Sequence, residues 1–261
     1  MDVVISAGST PGEIDPLLKY TKVDRKALIP IAGNPMIKWV TDAFVASSHI
    51  DRLIIIGLDQ SIGIDFGSKP VIYVPSTGKL VQNYIAGVER ALQDTTDSKR
   101  ILIAACDIPL ITTAIVDDHI DTMLATDHEV YYSIVRKATM LAKFPTSKRS
   151  YTCLRDGVFC GGNINMISGR VMASESRKLW DKLLERRKNV FQQAALAGYG
   201  TLFKLLIGRL TIAAAEQRAE KIMGVKCKAI ETPHAEIGMD VDKPFQLDIA
   251  TAALNIKLGL S

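Results

Sequence analysis

With 261 residues, 48% hydrophobic and 23% charged, the chain has ample apolar material for one large α/β domain or two modest ones, and intrinsic disorder is excluded. The net charge is only +4, and acids and bases are mixed along the whole length. That balance argues against nucleic acid and against a membrane surface as partners.

In chain order, short runs rich in valine and isoleucine predict strands at Val3–Ser6, Leu53–Gly57, Val71–Val74, Ile101–Ala105, Val130–Val135 and Lys226–Ile230. Continuous apolar runs suit strands covered on both faces, as in parallel sheets flanked by helices. Amphipathic stripes lie between them: Met36, Val40 and Phe44 in a first helix, then Val81, Ile85, Val88 and Leu92 in a second, with Ile120 and Leu124 in a third. After about residue 168 the pattern turns helical, with helices expected at Ser174–Lys188, Phe191–Ile207 and Thr211–Met223. Thr211 is placed to cap the last of these and Gly224 to stop it. A final helix, Pro244–Leu258, carries Leu247, Ala250, Leu254 and Leu258 on one side.

The alternation predicts a three-layer α/β/α doubly wound domain, its sheet mixed but mostly parallel, with an inserted helical block near the C-terminus. The expected division is residues 1–168 with 225–261 for the α/β domain, and 169–224 for the helical block. In such sheets ligands bind beyond the carboxyl ends of the strands, so the loops after strands are where chemistry is expected.

Four cysteines, Cys106, Cys153, Cys160 and Cys227, make no C-x-x-C pair and have no nearby histidine at ligand spacing. They are expected as reduced thiols of a cytoplasmic protein. No uncharged apolar run reaches the roughly 18 residues of a membrane span, and no basic region precedes an apolar stretch at the start, so a cleaved leader is not expected. The four histidines, His49, His119, His128 and His234, have no partner at useful spacing and are expected at the surface or in turns.

The first loop, Ala7-Gly8-Ser9-Thr10-Pro11-Gly12, follows the first strand directly. Its small residues let the backbone approach a ligand, and its N–H groups can meet phosphate oxygens. Next comes Lys26-Ala27-Leu28-Ile29-Pro30-Ile31-Ala32-Gly33-Asn34-Pro35-Met36-Ile37, which joins a lysine, an extended apolar stretch, a turn and a helix start. A lysine there can serve a triphosphate as a point charge. Together the two segments closely resemble the opening of the nucleotidyltransferase superfamily with a GT-A-like fold, which includes the MobA-like and sugar-phosphate nucleotidyltransferases.

Further segments carry the resemblance in order. Ile101–Ala105 followed by Cys106-Asp107-Ile108-Pro109 looks like the strand that ends in a metal-binding aspartate, and hard carboxylate oxygens suit magnesium. Gly238-Met239-Asp240-Val241-Asp242-Lys243-Pro244 looks like the closing segment that supplies a second metal contact. Two acids at i and i+2 of an extended stretch share a side, so either Asp240 or Asp242 is the ligand and the other caps the last helix; Asp242 is well placed for capping, which favours Asp240 as the ligand. Pro75-Ser76-Thr77-Gly78, with Asn83, corresponds to the base-reading segment, or else to an ordinary helix start. Gly161-Gly162-Asn163 corresponds to the acceptor-contacting stretch, or else to a tight turn or bulge.

The resemblance implies transfer of a nucleoside monophosphate from a nucleoside triphosphate to a small phosphorylated acceptor, with loss of pyrophosphate and with Mg2+ (or Mn2+) as cofactor. Lys26 and Asp107 are the implied catalytic residues, Ala7, Gly8, Ser9, Thr10, Pro75, Ser76, Thr77, Gly78 and Asn83 the nucleotide contacts, and Asp107 with Asp240 or Asp242 the metal ligands. The first loop departs from the family in lacking a following arginine, which leaves Lys19, Lys22 or Arg25 to supply positive charge. Two rivals are weighed. A GT-A-type glycosyltransferase predicts an acidic D-x-D that Cys106-Asp107-Ile108 lacks, and a degraded nucleotide sensor need not keep Lys26, Asp107 and Asp240/Asp242 together. A homo-oligomer is left open.

Overall fold

The computed structural model describes residues 1–8, 15–93, 99–172 and 199–260. Its centre is a mixed sheet. Strands β1 (Asp2–Ser6), β4 (Arg52–Ile56), β5 (Val71–Val74) and β6 (Arg100–Ala105) lie side by side in the order β5-β4-β1-β6, all parallel. A short hairpin of β2 (Pro30–Ile31) and β3 (Asn34–Pro35) stands apart. Val3, Ile5, Leu53, Ile55 and Leu102 are buried on one face of the sheet, and Val4, Ile54, Ile56 and Ile101 on the other, so both faces need helices.

Those helices are α1 (Met36–Val45), α2 (Leu80–Leu92) and α3 (Thr113–Leu124). Met36, Val40 and Phe44 of α1 are fully buried, as their spacing predicts. In α2, Val88 is buried and Leu92 packs against the core, while the side chain of Val81 lies outside the described set. The stripe of α3 is shorter than expected. Ile120 is buried, but Leu124, in the last turn, is 44% exposed, where the helix has run past the edge of the sheet.

Beyond β6 the sheet changes character. Strand β7 (Val130–Arg136) pairs in parallel with β11 (Cys227–Thr232) over its whole length. Its other edge carries β10 (Ile164–Ser168) and then β9 (Gly157–Gly161), both antiparallel, and β8 (Thr152–Leu154) pairs outside β9. Strands β9 and β10 are two halves of one broken strand, and β10 also closes onto β6. The break falls at Gly162-Asn163. A Cβ on Gly162 would meet the Ser133 Cβ at 2.7 Å and Ile237 Cγ2 at 3.0 Å, so only glycine lets the chain cross here. None of these three antiparallel strands was expected from the apolar runs.

Helix α4 (Lys137–Lys143) follows β7, and helices α5 (Tyr199–Leu206) and α6 (Ile212–Met223) precede β11. Thr211 caps α6, accepting from the Ala214 N–H, and Gly224 ends it with a left-handed backbone, as expected. The helix expected at Ser174–Lys188, and the first part of that at Phe191–Ile207, fall outside the described residues. Helix α7 (Pro244–Leu258) has the predicted bounds and buries Ala250 and Leu254. Leu258 is exposed, because it lies in the terminal turn beyond the packed face. Its N-cap is Lys243, not Asp242, and no side chain caps the helix there. Among the described residues no helix is long and apolar enough to cross a membrane.

Candidate active site

The parallel strands β5, β4, β1 and β6 all end on one side, and the connections reverse direction across β1 and β6. A crevice opens at such a reversal. Here it is a cavity of about 480 Å³ floored by Ser6-Ala7-Gly8 after β1 and by Ala105-Cys106-Asp107 after β6. The start of the first loop is fixed on both sides. The Ala7 N–H donates to the Ile56 carbonyl at 2.8 Å, and a Cβ on Gly8 would stand 2.6 Å from Ser76 Oγ. Ser9 and Thr10 lie outside the described residues.

Lys26 opens a 3-10 turn, Lys26–Leu28, at the cavity wall. Ala27, Ile29 and Ile31 are fully buried, and the Met36 N–H binds the Ile29 carbonyl at 2.8 Å. The apolar side chains of this segment thus pin the chain, and the lysine that precedes them is aimed rather than free. Its Nζ stands 2.5 Å from Asp107 Oδ2 and 2.5 Å from Asp242 Oδ1. Burial alone would favour the neutral amine, but the charges and hydrogen bonds of Asp107 and Asp242 outweigh it and raise the pKa well above that of an ordinary lysine. The two carboxylates thus hold Lys26 in its charged form.

Asp242 reaches this point because the closing segment runs extended beside Asp107, with the Val241 N–H donating to the Asp107 carbonyl at 2.9 Å. Asp240 lines the same cavity but its carboxylate pairs with Arg149. The second oxygen of Asp107, Oδ1, is buried and has no hydrogen-bond partner. Asp240 Oδ1 is likewise buried without a hydrogen bond, and such carboxylate oxygens gathered at one cavity wall are the hard donors that a divalent cation would take. Among the described residues no cluster of three or more His, Cys, Asp or Glu side chains is gathered to hold a metal ion.

Gly78 and Asn83 line the wall above β5. Asn83 is buried, and its Oδ1 accepts from the Thr77 N–H at 2.7 Å and from Thr77 Oγ1 at 2.8 Å, with Ser76 Oγ at 3.4 Å. Ser76 and Thr77 thus stand behind the wall and are held by Asn83, and Pro75 is also outside it. On the acceptor side only Asn163 lines the cavity. Gly161 and Gly162 form the strand break that carries it there, and the Asn163 N–H donates to the Ile237 carbonyl at 2.9 Å.

Arg25 also lines the cavity, its guanidinium donating to the Gly57 carbonyl. A cation thus stands beside the first loop although the loop contains none. Asp15, an acid that the sequence places where a triphosphate would want positive charge, also lines the cavity, as does Tyr84, which sequence reasoning did not single out. Tyr84 follows Asn83 on α2, and burial, with Asp107 and Cys106 adding to it, raises its phenol above the ordinary range. Burial first, and then Asp107, pushes the Cys106 thiol up to about 12, so it offers no thiolate. His119 departs from expectation: it is 1% exposed on α3, its Nε2 lying 2.6 Å from Ser133 Oγ, in the core and not in the cavity.

A model of the MobA-like NTP transferase domain matches residues 21–200. A solved structure described as a hypothetical transferase from Thermus thermophilus is 33% identical with a TM-score of 0.80, over 94% of this chain and 98% of that one. A 4-diphosphocytidyl-2C-methyl-D-erythritol synthase from Anaerococcus prevotii shares the fold at 12% identity and a TM-score of 0.59, over 97% of this chain and 95% of that one. No curated protein matches the sequence. With the site residues gathered as described and most of its length matched, the chain belongs to the MobA-like NTP transferase family and is a nucleotidyltransferase.

Proposed function

We propose that this enzyme joins a nucleoside monophosphate, taken from a nucleoside triphosphate, to a small phosphorylated acceptor such as a sugar or alcohol phosphate, and releases pyrophosphate. The observation that carries the reading is the meeting of Lys26, Asp107 and Asp242 at the floor of a cavity that opens on the first loop. Ala7 and Gly8 leave room for the triphosphate, Lys26 and Arg25 balance its charge, and Gly78 and Asn83 face the base. Asn163 faces the acceptor. Asp107, with an acid of the closing segment, would hold Mg2+ or Mn2+, which when bound supplies Lewis-acid stabilisation to the phosphate oxygens.

The acceptor phosphate oxygen attacks the α-phosphorus, a new P–O bond forms, and the bond to the pyrophosphate oxygen breaks. Positioning and charge carry such a step, and no protein nucleophile is needed. Lys26, paired with its two aspartates, stabilises charge as a cation and is not called on to carry a proton. The helical block 169–224 is read as an insertion into this domain, and the free thiols Cys106, Cys153, Cys160 and Cys227 agree with a cytoplasmic protein.

The test is a thermal-stability screen against ATP, GTP, CTP, UTP and dTTP with magnesium, with Asp107→Ala alongside. One triphosphate is expected to stabilise the protein by about 2.7 kcal/mol at a hundredfold excess over its Kd, and only when magnesium is present. Asp107→Ala is expected to lose that gain. Absence of any stabilisation by all five would sink the reading.

A further inference from the structure

The closing segment carries two acids, and the structure gives them different partners. Val241 is fully buried, so Asp240 and Asp242 on either side of it both turn towards the cavity. The Asp242 side chain is 52% exposed and meets Lys26. That of Asp240 is 15% exposed and meets the guanidinium of Arg149, which is 14% exposed. A carboxylate so enclosed needs a fixed countercharge.

Arg149 is itself held from several sides. It lies in the segment between α4 and β8, near enough to Cys160 for its charge to offset part of the rise that burial gives that thiol. One buried glutamine ties that stretch to the closing segment: Gln246 Nε2 donates to the Ser147 carbonyl at 3.2 Å, and its Oε1 accepts from the Asp242 N–H at 2.9 Å. Between Ser147 and Arg149, Lys148 adopts φ +47°, the left-handed region that a residue with a Cβ avoids. Its ammonium rests 5.5 Å from the Phe245 ring centre. The stretch accepts a strained residue and thereby delivers Arg149 inward.

We propose that Arg149 is a positioning residue of the active site: by holding Asp240 it removes that carboxylate from the cation's ligand set, leaving Asp107 and Asp242 as the pair. The inference rests on the cation reading above and goes further, because it assigns the ligand role to Asp242 where the sequence favours Asp240. It also bears on how a cavity walled by Asp15, Asp107, Asp240 and Asp242 receives a polyanion: one of its four carboxylates arrives already paired with an arginine.

Two probes that need no knowledge of the base decide it: Mn2+ alone, titrated by electron paramagnetic resonance, and inorganic tripolyphosphate, titrated by calorimetry. Asp107→Asn and Asp242→Asn are each expected to weaken Mn2+ binding about tenfold or more, and Asp240→Asn by less than about twofold. Arg149→Met leaves Asp240 charged and unpaired at the wall. It is expected to bind Mn2+ about threefold tighter and tripolyphosphate about threefold weaker, opposite signs that a general loss of structure would not give. The neutral pair Arg149→Met with Asp240→Asn is expected to return both probes close to wild type.

Should Arg149→Met not fold, the comparison of Asp240→Asn with Asp242→Asn decides alone. Equal loss of Mn2+ affinity in those two overturns the proposal, and so does weakening of both probes that the paired change does not restore. If neither Asp107→Asn nor Asp242→Asn alters Mn2+ binding, the cation reading itself has failed, and this inference falls with it.

Discussion

The two halves of the sheet build the site in different ways. In the parallel half, β5-β4-β1-β6, each strand ends at the cavity and hands its next residues to it: Ala7 and Gly8, Gly57 as a carbonyl for Arg25, Gly78, and Asp107. In the half built on β7, no strand simply ends there. Asn163 arrives through a break in an antiparallel strand, and Asp240 and Asp242 arrive on a segment that follows β11 and is tied to Asp107 by one backbone bond. The first half places its chemistry by topology and the second by packing. Changes in the first half should therefore disable the reaction in a folded protein, whereas changes in the second should disturb stability and carry the site along.

The largest expected effect is in the first half. Lys26→Met should lower the rate of nucleotidyl transfer about 10²- to 10³-fold. Its loss of thermal stability should shrink when magnesium is added, because a cation can replace the ammonium between Asp107 and Asp242. A stability loss indifferent to magnesium would count against that picture.

The second half should answer to pH through His119. Burial, against the pull of the Ile164 carbonyl, holds the imidazole neutral and lowers its pKa from the ordinary 6.5 to about 4. Between those values the unfolded chain binds a proton that the folded chain excludes. Stability present above pH 6.5 is then lost as pH falls towards 4, by up to about 3 kcal/mol. Denaturant titrations of the wild type and His119→Gln across that window check this, and identical slopes would refute it.

Gly162→Ala sharpens the comparison. Its new Cβ crowds Ser133 and Ile237, which should cost about 1–3 kcal/mol. Because Asn163 must shift with it, acceptor KM should rise more than triphosphate KM. The smallest effect belongs to Leu124→Gln, expected within about 0.5 kcal/mol of wild type because the side chain is already in water.

What the sequence disclosed follows the same division. β1, β4, β5 and β6 are apolar runs buried on both faces, and such runs can be read one segment at a time. Lys26 and Asp107 sit beside those runs, so their neighbours point to them. Strands β8, β9 and β10 gave no such signal. Gly157–Gly161 begins and ends in glycine, and Ile164–Ser168 places Asn165 in mid-strand, where its Oδ1 accepts from the Ser133 N–H. Their pairing comes from β7 and β6, not from local preference. Arg149 and Gln246 were silent because each acts on a residue some ninety or more positions away. For Asp242 the sequence leaves a ligand role and the local option of a helix cap both open; the structure gives the cap position to Lys243 and sends Asp242 to Lys26.

The bond from the Val241 N–H to the Asp107 carbonyl has a consequence in time. During synthesis the parallel strands can pair and the first loop can take shape long before Asp242 leaves the ribosome. Strand β11, which must slide in beside β7, brings it only after β8, β9 and β10 have been made. Parallel pairings between distant segments form slowly. A chain cut before β11 would thus hold the crevice floor built by β1 and β6 and yet lack Asp242, the partner that Lys26 shares with Asp107.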